Sequence, residues 1–294
     1  MKKIVLSVVA VVFLLAGAAF IFLFGSFTVS PEKAISFPLE QSSHNFLQMD
    51  AELNGQPAKL MLDTGATMNV ITLDFARELG INLSFLPSLA GTDHLGQPMS
   101  VKLLPTLDMS MNGNDLTLYK VAIVDNTDMG GAGVHGVFNP LATFSGPIEM
   151  DLKNNTLTAF PETKVFDELN TEANWDGNVL FLASSLTEGS EVLGLVDTGS
   201  YITKYEKPYI ESVMLGVDVS NMDPADFSQT LPLTQAVYIA GVELDLEAVG
   251  LLNKANHSQN INAVKGYIGY DFLKDTLIRI NKVGDPRIYL DYQG

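Results

Sequence analysis

Cysteine is missing from all 294 residues. That removes disulfides, thiolate nucleophiles and Cys-ligated zinc or iron–sulfur centres. Basic residues are few: 17 Lys+Arg stand against 34 Asp+Glu, a formal charge of −17. A chain so acidic cannot replace the counterions of a phosphate backbone, so nucleic acid is excluded as a partner. Histidine is scarce as well. Four residues in no HExxH pattern make no His-built metal centre, and neither a metal nor an organic cofactor is expected. Gly130-Gly131-Ala132-Gly133 is followed by no Gly-Lys-Ser/Thr, so it is no phosphate loop. What remains is 47% hydrophobic residues with aromatics at 9%, enough for a real core in one large domain or two.

The longest apolar run comes first. Lys2 and Lys3 precede 21 uncharged residues, Ile4 to Phe24. At about 1.5 Å per helical residue they span roughly one 30 Å hydrocarbon core. A cleavable signal has a shorter apolar region, about 7–15 residues. Ala16-Gly17-Ala18 mimics a cleavage site, but Phe20 to Phe24 carries the run beyond it. Residues 1–25 therefore read as an uncleaved signal anchor, one transmembrane helix with its N-terminus held in the cytoplasm by the paired lysines. The Met-Lys-Lys start and the lack of cysteine are bacterial in style. They place the chain as a single-pass protein of the inner (cell) membrane, with the remainder in the periplasm or outside the cell. Residues 26–44, with Pro and Ser between Thr28 and Ser43, read as a spacer or stalk, or a removable pro-segment.

Beyond the spacer the chain repeats itself. Phe46 to Leu53 alternates, Asn54-Gly55 is a strong hairpin signal, and Ala58 to Leu62 returns into Asp63-Thr64-Gly65-Ala66. Val179 to Ala183, the turn Glu188-Gly189 and the return Glu191 to Val196 lead in the same way into Asp197-Thr198-Gly199-Ser200. Each turn glycine lies eight residues before its aspartate. Downstream, Thr72 caps a short helix from Leu73 to Leu79 that Gly80 stops, and Pro208 opens a helix from Tyr209 to Leu215 that ends at Gly216. Gly133-Val134-His135-Gly136 lies 70 residues after Asp63, and Gly266-Tyr267-Ile268-Gly269 lies 69 after Asp197. These are two divergent copies of one β-rich unit, 134 residues apart. One copy covers residues 45–169 and the other 170–294, with Asn170 to Asp176 as the linker.

A lone Asp-Thr-Gly is an ordinary turn signal. Chance supplies one roughly 0.07 times in such a chain, and two at matched places in a repeat far less often. Leu60 to Thr67 and Gly194 to Ser200 resemble the two active-site loops of aspartic proteases. The first half, together with Gly269-Tyr270-Asp271-Phe272-Leu273, resembles the retroviral-type, single-lobe branch. Two copies in one chain resemble the two-lobed pepsin arrangement. The resemblance implies an all-β fold of two similar lobes with the active site in the cleft between them. It also implies an endopeptidase that acts on polypeptides as a monomeric catalytic unit, which the N-terminal helix read above would hold at the membrane.

Asp63 and Asp197 would be the catalytic pair that activates a water. Two close carboxylates cannot both ionise cheaply and share one proton, as is established for aspartic proteases. Thr64, Gly65, Ala66, Thr198, Gly199 and Ser200 complete the loops, with the glycines admitting backbone amides and the threonines tying the loops across the lobe interface. Ser200 would donate to its carboxylate where Ala66 cannot, which predicts a working range from weakly acidic to neutral. Leu89 to Val101 reads as a hairpin with Gly91, Thr92, Asp93, His94 and Gly96 at its tip, and the resemblance makes it the flap over bound peptide. It lacks the tyrosine of the pepsin branch. A second flap is sought in Asp223 to Leu233, while His94 and His135 are read as incidental.

The second copy departs from the first where Val70 and Ile71 are answered by Lys204 and Tyr205. An apolar anchor has become a cation and a phenol. Lys204 is expected to snorkel outward along a packed stem. The same departure supports an alternative, a catalytically silent peptide-binding or scaffold protein that keeps the protease fold.

Overall fold

A computed structural model describes residues 27–43, 45–92, 98–124, 133–214, 216–224, 229–252, 264–282, 284 and 287–294. The predicted anchor, residues 1–25, lies outside them. Among the described residues no helix is long and apolar enough to cross a membrane.

The described chain is mostly β-sheet, and its strands fall into three sheets. The strands are β1 (Ile35–Pro38), β2 (Glu40–Gln41), β3 (Leu47–Leu53), β4 (Gln56–Leu62), β5 (Val70–Thr72), β6 (Ser88–Thr92), β7 (Pro98–Met111) and β8 (Asn114–Val124). They continue with β9 (Gly136–Phe138), β10 (Ile148–Asp151), β11 (Thr156–Ala159), β12 (Asn174–Asp176), β13 (Val179–Ser185), β14 (Val192–Val196) and β15 (Lys204–Glu206). The rest are β16 (Leu231–Pro232), β17 (Val237–Ile239), β18 (Val242–Leu244), β19 (Ala248–Leu252), β20 (Val264–Ile268), β21 (Thr276–Ile280) and β22 (Ile288–Tyr292).

The first half builds the sheet β2-β3-β4-β9-β5-β8-β7-β6, and the second builds β16-β19-β15-β20-β14-β13-β17-β18, with β12 on β13. Alternation makes the strands: Leu47, Met49, Ala51 and Leu53 of β3 face inward while Asp50 and Glu52 face water. Asn54 and Gly55, both at positive φ, turn the chain directly back into β4. In each half the return strand lies parallel to a short later strand, β4 on β9 and β14 on β20. Helix α1 (Leu73–Glu78) starts where the Thr72 side chain accepts the Phe75 amide, and Gly80 follows it at φ +70°. Three more short helices follow: α2 (Pro140–Thr143), α3 (Lys207–Val213) and α4 (Tyr270–Leu273).

The third sheet, β1-β11-β10-β21-β22, takes strands from both halves. Its seam is the pairing of β10 with β21, from Ile148↔Ile280 to Asp151↔Leu277. Arg279 crosses the seam to Glu149 at 2.6 Å. One continuous core runs beneath all three sheets, from Phe37 and Phe144 to Leu273 and Ile288.

Two expectations change here. The segment read as spacer or stalk is part of the fold. Val29 bridges to Phe144, β1 pairs with β11, and β2 pairs with β3. Ile35, Phe37 and Leu39 alternate into the core, and Phe37 is fully buried against Phe144. The linker at Asn170–Asp176 is likewise structured: Thr171 bridges to Ile288 and β12 pairs with β13.

Candidate active site

β4 and β14 each end at an aspartate in a tight loop, and the two loops meet. The Asp63 amide donates to Phe138 O and the Asp197 amide to Ile268 O, both at 3.0 Å, so each loop hangs from the end of its parallel strand pair. Thr64 and Thr198 are fully buried between them. The Thr64 hydroxyl donates to Val196 O at 2.7 Å, and the Thr198 hydroxyl donates to Leu62 O at 2.9 Å. The Thr64 amide donates to Thr198 Oγ1 at 3.1 Å, and the Thr198 amide to Thr64 Oγ1 at 3.2 Å. Both hydroxyls therefore give and accept across the interface, and the lock has near two-fold symmetry.

That lock brings the two carboxyl groups together. Each lies against the glycine of the opposite loop. A Cβ built on Gly65 would stand 2.6 Å from Asp197 Cγ, and one on Gly199 would stand 2.7 Å from Asp63 Cγ. Only glycine leaves room for such an approach. The strands leading into the loops are packed by apolar side chains: Met61 of β4 with Phe46, Val137 and Ala66, and Leu195 of β14 with Leu252 and Tyr267.

Residues 49–138 match the family model described as aspartyl protease. Across 88% of this chain and 97% of the other, the structure superposes on an aspartic proteinase from Irpex lacteus with a TM-score of 0.54, at 14% sequence identity. The chain has the aspartic protease fold. No curated protein matches it by sequence. The family resemblance read in the two signatures is thus met by a family model over the first lobe and by a solved fold over both.

Within this aspartic protease fold the two carboxyls are not equivalent. Burial pushes both upward from the ordinary carboxylate range. Asp63 accepts two backbone amides, Gly65 N at 2.8 Å and Ala66 N at 3.0 Å, and these favour its charged form. Asp197 accepts one, Gly199 N at 3.0 Å. Burial, and after it the negative charge of Asp63, hold Asp197 well above its usual value, with the nearby Lys204 ammonium working in the other direction. Burial and the closeness of the two carboxyls favour a pair that keeps one proton between them.

Ser200 does not act as expected. Its hydroxyl donates to Ile202 O at 2.8 Å, and its amide goes to the backbone carbonyl of Asp197. The reason is local geometry: the loop turns its hydroxyl along the chain, away from the carboxyl. The Ala66/Ser200 difference therefore does not set a less acidic working range.

The glycine elements also match in a different register. Gly136 pairs with Leu60 and Gly266 with Gly194, each partner three residues before its aspartate. Gly136, not Gly133, is thus the counterpart of Gly266. The close approach confirms it, because a Cβ on Gly136 would strike the Val70 carbonyl and one on Gly266 would lie 2.8 Å from the Lys204 carbonyl.

Beneath the loops sits a polar layer that the motifs did not reveal. In the first lobe, Asn139 donates its amide N–H to Asn69 Oδ1 at 2.9 Å and its side chain to Ala66 O. In the second, Gly269 N donates to Thr203 Oγ1 at 3.1 Å, and the Thr203 hydroxyl donates to Asp271 Oδ1 at 2.8 Å. The residue six positions past each aspartate, Asn69 or Thr203, is the signal that a comparison of the two copies could have used.

Tyr205 takes the place of Ile71 without disruption. It is 1% exposed, and its hydroxyl bonds to Ser184. Lys204 is half-buried with its stem packed over Gly250, and burial lowers its ammonium from the usual value while the charge of Asp197 works the other way. The expected hairpin forms: β6 pairs with β7 from Ser88↔Lys102 to Thr92↔Pro98, with Gly91 opposite Met99. Leu89 and Met99 pack with Met68 and Val70, just past the Asp63 loop. The tip residues Asp93, His94 and Gly96 lie outside the described residues, as does part of the second flap segment.

Proposed function

We propose that the chain is an aspartic endopeptidase in which Asp63 and Asp197 activate a water against a peptide carbonyl. One observation carries the reading: two carboxyl groups seated each against the other loop's glycine, held by a reciprocal threonine lock. With one proton between them, the ionised carboxylate takes a proton from water as general base. The protonated carboxyl donates to the carbonyl oxygen as the tetrahedral carbon forms. The roles then reverse to protonate the leaving amine. Asp63, with its two amide donors, suits the ionised role at the outset, and Asp197 the protonated one. No cofactor is required. A single chain supplies both carboxyls, so the catalytic unit is a monomer, and the β6–β7 hairpin would serve as the flap over a bound polypeptide.

The anchoring belongs to the same proposal. Lys2, Lys3 and the run Ile4 to Phe24 support one membrane-spanning helix with the catalytic part outside the cytoplasm. The test uses the full chain and a mixed peptide library between pH 3 and 7, alongside Asp63→Asn and Asp197→Asn. Cleavage by the wild type and its loss in both variants is the expected result. Cleavage that survives either substitution refutes the dyad.

A further inference from the structure

The two aspartate loops are closed by different donors. Phe138 and Ile268 carry the carbonyls that take the aspartate amides, and the residue two positions further on is Pro140 in one lobe and Tyr270 in the other. The Tyr270 amide donates to Ser200 O at 2.7 Å. Pro140 has no N–H to give to the matching carbonyl, Ala66 O. Asn139 supplies the missing donor from its side chain. Its Oδ1 accepts the amides of Leu141 at 2.7 Å and Ala142 at 3.3 Å, where α2 begins. Those two bonds fix which way the side-chain amide points and leave its two N–H bonds for carbonyls. One goes to Ala66 O and the other to Asn178 O at 3.2 Å.

Asn178 belongs to the other lobe. It is the second residue of the Gly177-Asn178 turn between β12 and β13, and Gly177 at φ +60° lets the chain reverse in two residues. Its side chain returns the contact, with Asn178 Nδ2 donating to Thr67 O at 3.2 Å. From this turn β13 runs on to pair with β14, the strand that leads to Asp197. The carbonyls of Ala66 and Thr67 are therefore tied to the strand pair that carries the opposite aspartate. The Ala66 amide, for its part, donates to Asp63 Oδ1 at 3.0 Å. In the Asp197 loop the Ser200 carbonyl is held from within its own lobe, by Tyr270 of α4.

We propose that Asn178 is a positioning residue of the aspartate pair: reaching over from the second lobe, it holds Thr67 directly and Ala66 through Asn139, and so keeps the Ala66 amide aimed at the Asp63 carboxylate. A residue tethered at its carbonyl cannot swing its N–H aside without straining that tether. The threonine lock fixes the loop one residue past Asp63, and the Asn139–Asn178 pair fixes it three and four residues past. Between these two ties the segment that presents Gly65 N and Ala66 N to the carboxylate is held at both ends. One of the two ties at its far end crosses the lobe boundary, so a displacement of the second lobe reaches Asp63 through Asn178.

The test pairs two measurements on the full chain carrying Asn178→Ala, which removes the donor to Thr67 O and leaves the backbone carbonyl that takes Asn139. One follows amide hydrogen exchange by NMR in 15N-alanine-labelled protein, with Ala66→Gly as the assignment. The other takes kcat and KM on a cleaved peptide. Exchange at Ala66 is expected to quicken about fivefold, and kcat to fall about fivefold with KM within about twofold, the worth of one hydrogen bond. Ala51 of β3 and Ala159 of β11 are expected to exchange at their wild-type rates. An unmoved Ala66 amide overturns the proposal. Equal acceleration at Ala66, Ala51 and Ala159 overturns it too, because Asn178 would then be a general stabiliser, and so does a raised KM at constant kcat. If Asn178→Ala does not fold, Asn178→Leu takes its place with the same expectation, and failure of both to fold overturns the positioning role. The kinetic arm rests on the peptidase reading and the exchange arm does not. A wild type that cleaves nothing sinks that reading, while exchange at Ala66 still decides the role of Asn178.

Discussion

The Gly65→Ala substitution puts the geometry of the cleft to its hardest trial. Gly65 has an ordinary backbone conformation, so alanine brings no φ strain. What it brings is a methyl group 2.6 Å from Asp197 Cγ and 2.7 Å from its Oδ1. Ordinary contact begins at 3.4 Å, so the carboxyl must retreat by about 0.8 Å. The Asp197 side chain is short, and its loop is pinned by the Thr198 hydroxyl and by the Asp197 amide on Ile268. Relaxation therefore falls on the carboxyl. A displacement of about 1 Å in a reacting group costs on the order of 100-fold in rate. We expect kcat on a cleaved peptide to fall by about that factor, while the thermal midpoint moves by only a few degrees. A Gly65→Ala enzyme that keeps kcat within about threefold of wild type would refute the claim that the carboxyls are held by opposing glycines. A variant that fails to fold would place the methyl clash on the backbone and refute it as well.

Three further outcomes follow from the same coordinates. Thr64→Val removes the hydroxyl that bonds Val196 O and Thr198 N, and two buried backbone groups left unpaired cost about 3 kcal/mol in urea unfolding. Phe37→Ala empties a fully buried site in the shared sheet and should cost about 3–5 kcal/mol; a loss below 1 kcal/mol would show that β1 is dispensable. Asp197 is raised in the folded state, so its contribution is fully present below the unfolded value near 3.8 and is lost as pH climbs through the folded value. Asp197→Asn should accordingly melt above wild type at pH 7, with the gap narrowing toward pH 4; a lower melting point for the variant at pH 7 would contradict the buried charge.

Local signals made much of this legible. The hairpins before Asp63 and Asp197 follow from alternation and from Gly55 and Gly189, both at positive φ. The helix starting at Thr72 follows from its cap and its glycine stop. The meeting of the two aspartates was readable only because each repeat carries one, for nothing local says that Thr64 must find Val196. Other features depended on partners distant in the chain. Ile35, Phe37 and Leu39 alternate visibly, yet β1 gains its meaning from β11, more than a hundred residues on, and Ser and Pro around it speak for a loop. The glycine elements were aligned three residues off because the loops between the paired strands have unequal lengths, and only strand register fixes Gly136 opposite Leu60. The Ser200 hydroxyl misled for a related reason: composition says what a group can donate to, and the turn of the chain says where it points.

The shared sheet has a consequence for the order in which the molecule is made. As the chain leaves the ribosome, β1, β10 and β11 are available well before β21 and β22. Until those last strands arrive, the outer edge of β10 has no neighbour, and it is the surface on which the second half must dock. An open edge of this kind invites pairing with the same edge of another nascent chain. The seam that holds Glu149 to Arg279 in the finished molecule is therefore also the place where synthesis is most exposed to misassembly, and chains stalled before Thr276 should accumulate as pairs joined along β10.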